Sequence, residues 1–88
     1  MIVHKRRDDV INRFARIEGH VRGVKRMFEA DKDCPAILLQ IAAVRAALDK
    51  VSQIILEDHI ETCVVNAVKE GREDEAIIKL RDAVARFF

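Results

Sequence analysis

Residues 34–71, CPAILLQIAAVRAALDKVSQIILEDHIETCVVNAVKEG, decide the fold. Ile37, Ile41, Val44, Leu48, Val51 and Ile55 recur at spacings of 4, 3, 4, 3 and 4, the period of one helix face. Pro35 is tolerated in a first helical turn, where its missing N–H has no intrahelical partner, and Asp33 or Cys34 would cap that turn. No further Gly or Pro interrupts the pattern before Gly71, which fits a stop near Lys69-Glu70. Leu38, Ala42, Ala43, Ala46, Ala47 and Ile54 form a second apolar line beside the first. A helix apolar on two sides needs more than one neighbouring helix to cover it.

Outward from this segment lie two more helical patterns. Upstream, Val10, Phe14, Ile17, Val21, Val24 and Phe28 form one stripe, with Asp8 and Asp9 where acids complement a helix N-terminus. Gly19 and Gly23 interrupt it at about 1 kcal/mol each relative to Ala, and their spacing leaves a flat strip open to close approach. Ala30 to Asp33 breaks the period. Downstream, Ile77, Leu80, Val84 and Phe87 mark a third, shorter helix. The expectation is an all-α chain forming a single domain over residues 1–88. Its helices fall near 8–30, 34–70 and 74–87, as an antiparallel hairpin with a short third helix.

Composition agrees. The chain has 88 residues, half of them apolar and 35% charged, with one Pro, three Gly and no Trp or Tyr, which argues against a turn-rich sandwich or barrel. So small a core is marginal by itself, and oligomerisation is expected. No apolar run approaches the roughly 18 residues of a membrane span, and no signal-peptide pattern follows the basic N-terminus. Cytoplasmic residence is the expectation, and two cysteines there would remain thiols.

The net charge of +1 conceals an asymmetry. Residues 1–26 carry eight Lys/Arg against three Asp/Glu, whereas residues 27–88 carry eight against twelve. The basic first third reads either as a surface for an anionic partner or as a solvated helix face.

The chemistry-bearing residues are two cysteines and a histidine. His59 and Cys63 stand four apart, so both leave one helix face, and imidazole and thiolate suit a soft metal ion. Cys34 precedes Cys63 by 29 residues, roughly 43 Å along one helix, too far to share an ion within a chain. Two such helices packed antiparallel about a two-fold axis would bring Cys34 of one chain level with Cys63 of the other, creating two equal sites. The alternative for Cys34 is a small buried hydrophobe at a helix start. His20 reads as a surface or packing residue. His4 lies in a basic arm suited to phosphate contact, or to service as an additional ligand. A Cys63–His59 nucleophile–base pair would make an enzyme, but the chain has no oxyanion-hole signature and no room for a concave scaffold.

Three stretches carry a family resemblance: Arg16-Ile17-Glu18-Gly19-His20-Val21-Arg22-Gly23, Asp33-Cys34 through Leu38-Leu39-Gln40-Ile41-Ala42-Ala43-Val44-Arg45, and Asp58-His59-Ile60-Glu61-Thr62-Cys63. Together they resemble the copper-sensitive operon repressor family, whose members sense copper, nickel or cobalt, formaldehyde, or persulfides. The resemblance covers roughly residues 7 to 85. It implies a disc-like dimer of dimers without a helix-turn-helix, not an enzyme, binding operator DNA and released by its signal. The pattern of Cys34, His59 and Cys63 is similar to the Cu(I)-sensing subtype. Lys5, Arg6, Arg7, Arg13, Arg16, Arg22 and Arg45 are the DNA candidates, and the resemblance favours Arg13 and Arg45. Two positions depart from the copper-sensor pattern. Asp33 stands where a Tyr is common, and Lys79 where a Glu commonly supports the histidine. Alternatives on the same fold are a persulfide or thiol-redox sensor pairing Cys34 with Cys63, and a Ni(II) or Zn(II) sensor using His4.

Overall fold

The structure is a computed structural model, and it describes residues 6–87. In chain order these form α1 (Arg7–Glu29), α2 (Cys34–Asp58), a π-helical segment (His59–Val64), α3 (Val65–Lys69) and α4 (Glu73–Phe87). The all-α expectation holds, with helix ends within about a residue of those read from the pattern. None of the described helices is long and apolar enough to cross a membrane.

The chain divides into two compact units, whose described parts are residues 6–55 and 56–87. The first is a helical hairpin. His20 on α1 meets Gln40 on α2, and Arg13, Arg16 and Ile17 face Ala47 across one groove. As α1 ascends α2 descends, so the two helices run antiparallel.

The connection is only four residues long and is closed by hydrogen bonds at both ends. Asp31 N–H donates to the Phe28 carbonyl at 3.1 Å and Lys32 N–H to the Met27 carbonyl at 3.0 Å, the paired bonds of a Schellman stop. That motif puts Asp31 in the left-handed region, at φ 54°. Asp33 then caps α2: its carboxylate accepts from Ala36 N–H at 3.3 Å. The residue that departs from the copper-sensor pattern thus does structural service here. Ile17, Val51 and Ile54 are the buried apolar residues of this unit.

In the second unit the π-helical segment runs straight on into α3 and packs against α4. Gly71, at φ 75°, ends α3. Its N–H donates to the Val68 carbonyl at 3.2 Å and Arg72 N–H to the Ala67 carbonyl at 2.7 Å, a second Schellman stop. Ala67, Asp58 and Thr62 are buried.

One expectation needs correction. The segment 34–70 is not a single uninterrupted α-helix, because residues 59–64 adopt the wider π ladder, in which each amide reaches back five residues. Asp58 and Val65 on either side keep ordinary helical dihedrals, so the π-segment is an insertion within a continuing helix.

Candidate metal centre and nucleic-acid interface

The three metal candidates occupy different local settings. Cys34 is the first residue of α2, a free and exposed thiol, which removes its reading as a buried hydrophobe within this chain. His59 opens the π-segment and is half-buried, and Cys63 lies within the same segment. Local structure therefore joins His59 and Cys63 in one turn, and along the chain the other 24 of the 25 residues of α2 stand between Cys34 and that turn.

Next to the pair in sequence are two buried polar residues that sequence reasoning did not single out. The Thr62 hydroxyl donates to the Asp58 carbonyl at 2.7 Å, and both residues are buried, Thr62 at 9% exposure and Asp58 at 2%. Only the four-residue spacing from Asp58 to Thr62 hints at this in the sequence. Lys79, where a supporting Glu is common, lies on α4 and pairs with Glu75 one turn back at 2.8 Å. The hydrogen bond from Lys79, with its positive charge, holds the Glu75 carboxyl below the usual carboxylate range.

As a donor set, two thiols and one imidazole fit a soft, low-coordinate ion. Cu(I) meets that description, and Ni(II) asks for more nitrogen. Thiols must lose their protons to bind, so occupancy would depend on pH.

The basic candidates gather on the hairpin. Lys5 and His4 lie outside the described residues. Arg6, Arg7, Arg16, Arg22 and Arg45 are exposed. Arg7 lies 3.7 Å from Asp8, and Arg13 donates from Nε to Asp9 at 3.1 Å. Asp9 thus engages one of the five N–H donors of the Arg13 guanidinium. Arg13, Arg16, Ile17, His20 and Ala47 line an open groove of about 320 Å³. His20 Nε2 and Gln40 Oε1 lie 2.8 Å apart, with the imidazole donating to the amide oxygen, so His20 is a packing residue of the hairpin. A Cβ on Gly23 would meet nothing within 4 Å, and one on Gly19 only the tip of Arg22. Packing within the chain does not require either glycine, and the strip they form stays open.

A sequence profile of the metal-sensitive transcriptional repressor family matches residues 6–86, nearly all of the chain. The chain belongs to that family. A repressor of this kind is not an enzyme, and its partner is DNA. The repressor is 46% identical over 83 residues to the copper-sensing transcriptional repressor CsoR of Bacillus subtilis, spanning 94% of this chain and 82% of that one. In structure it is similar to the copper-sensing repressor CsoR with Cu(I) from Geobacillus thermodenitrificans. That match has a TM-score of 0.92 and 38% identity and covers 99% of this chain and 93% of the other. It also resembles the nickel-responsive transcriptional regulator InrS, with a TM-score of 0.77 and 44% identity over 92% of this chain and 91% of that one.

Proposed function

We propose that this repressor senses Cu(I) in the cytoplasm, with its 88 residues working as one domain. Each site would take Cys34 from one subunit and His59 with Cys63 from its partner. The observation that carries this reading is the His59–Cys63 pair in one turn of a chain so similar to a copper-sensing repressor solved with Cu(I). A site divided between subunits accounts for the 25-residue helix that runs between Cys34 and His59.

Assembly as a dimer of dimers is supported by apolar surface. Leu38, Leu39, Ile41 and Leu48 on α2 are all more than two-fifths exposed, and Phe28 at the end of α1 is 72% exposed. Single exposed apolar residues are ordinary, but so many on one 25-residue helix call for a covering partner.

On DNA, the arginines of α1, with Arg45 on α2 and Lys5 in the N-terminal arm, would neutralise phosphates and release counterions. With no helix-turn-helix, a broad helical face would read DNA shape more than base edges. Cu(I) binding favours release only if the ion binds the free tetramer more tightly than the DNA-bound one. DNA must then weaken Cu(I) affinity by the same factor.

The test is an anaerobic Cu(I) titration of reduced protein against a competing chelator, with and without operator DNA. One Cu(I) per chain, release of DNA, and loss of both in Cys34→Ala are expected. Tight binding that leaves DNA affinity unchanged would reject copper as the signal. A second reading, Ni(II) sensing with His4 as an added ligand, draws support from the similarity to a nickel-responsive regulator. DNA release by Ni(II) that disappears in His4→Ala would favour it. Release by a persulfide in a His59→Ala variant would favour the thiol-redox alternative.

A further inference from the structure

The π-segment spans the same residues as the His59–Cys63 pair, and its consequence is geometric. In an α-helix four residues turn through more than a full circle, so position i+4 overshoots position i by about 40°. In a π ladder each turn takes more than four residues, so i+4 falls short of i. The identical H-x-x-x-C spacing thus sets position 63 on opposite sides of position 59 in the two ladders. Whichever ladder forms determines the angle at which the chain offers its two donors.

What holds the π ladder is legible at Thr62. In an α-helix the Asp58 carbonyl accepts from the Thr62 N–H, and in a π ladder from the N–H of residue 63 instead. Here the Thr62 hydroxyl donates to that carbonyl at 2.7 Å. Such back-bonds to the i−4 carbonyl loosen and bend helices. A control lies within the same helical run. Ser52 donates to the Leu48 carbonyl at 3.0 Å, yet residues around it remain α-helical. The difference is burial. The Ser52 bond is exposed, and water competes for it. Thr62 and Asp58 are buried in or beside a segment against which α4 packs, so the hydroxyl has to keep a protein partner.

We propose that Thr62 is a positioning residue: its hydroxyl, seated on the Asp58 carbonyl, holds residues 59–64 in the π ladder and so sets the bearing of His59 and Cys63 toward a shared soft metal ion. The metal part rests on the Cu(I) reading above. The ladder part concerns the metal-free chain alone. Thr62 touches no ion in this account and acts through the backbone that carries the ligands.

Two variants test it. Thr62→Val keeps the shape and removes the hydroxyl, and Thr62→Ser keeps the hydroxyl. In metal-free protein, NMR couplings through backbone hydrogen bonds report which carbonyl the amides of residues 63 and 64 use. Wild type and Thr62→Ser are expected to show partners five residues back, and Thr62→Val partners four back. Cu(I) affinity, measured by chelator competition, is expected to fall on the order of 10-fold in Thr62→Val, as for loss of an outer-shell partner. It should return to within a few-fold of wild type in Thr62→Ser. Five-back partners persisting in Thr62→Val would overturn the proposal. So would a Thr62→Ser variant that loses as much affinity as Thr62→Val, or a Thr62→Val ladder that changes while Cu(I) affinity does not. A wild-type chain that bound no Cu(I) would overturn the copper reading instead, and the coupling pattern would still decide whether Thr62 holds the turn.

Discussion

The two units of this chain solve different problems with the same secondary structure. Residues 6–55 form a regular hairpin, with two long helices, a four-residue connection closed by hydrogen bonds, and buried Ile17, Val51 and Ile54. Residues 56–87 hold a π-segment, a five-residue helix and a tight glycine stop, and they bury Asp58 and Thr62. The regular unit carries the described basic candidates, and the irregular unit carries His59 and Cys63. A uniform helix is well suited to presenting an extended charged face, because its side chains repeat at a fixed period. Presenting two ligands to one ion needs a particular local angle, and breaking the ladder is one way to obtain it.

The largest effect that would sharpen this contrast is expected from Cys63→Ala. Loss of an outer-shell partner alone costs 10–100-fold in metal affinity, so removing a thiolate ligand should cost on the order of 1,000-fold or more in Cu(I) affinity. Metal-free operator binding should survive. If chelator competition shows Cu(I) held as tightly as by wild type, the irregular unit is not the metal end of the molecule. Next comes Ile54→Ala in the hairpin unit, where Ile54 is 4% exposed. Truncating such a residue should lower unfolding free energy by about 3 kcal/mol in urea titrations. A loss below about 1 kcal/mol would mean that the hairpin core is not centred there. Arg45→Ala is expected to weaken DNA binding uniformly across sequences and to reduce the log–log salt slope by about one unit. An unchanged slope in fluorescence-anisotropy titrations would take Arg45 off the interface. The smallest effect has the opposite sign. Asp31→Gly, at φ 54°, should stabilise the hairpin turn by about 0.5 kcal/mol, since glycine has no Cβ to clash in the left-handed region. A lower Tm in that variant would show that the Asp31 side chain contributes more to the turn than its strain costs.

Much of this was legible before any coordinates. The 4-3 spacings located α1 and α4, because an amphipathic helix records its buried face in the order of its residues. Asp33-Cys34-Pro35 and Gly71 marked the two ends of the long helical run, because caps and stops depend on side-chain chemistry only a few residues away. The pairing of His20 with Gln40 was not legible, since it joins residues 20 apart that carry no mutual signal. Nor was the ladder change at His59, for the back-bond at Thr62 is a common local option that exposed Ser52 also takes without altering its helix.

The sequence by itself determined the helices, their ends, the excess of basic residues at the start of the chain and the donor types at positions 34, 59 and 63. All of these follow from local chemistry and periodicity. Only the tertiary structure decided that His59 and Cys63 sit on a π ladder. A π ladder is rare along an isolated helix, and packing of α4 against the segment, with Thr62 buried there, favours it here.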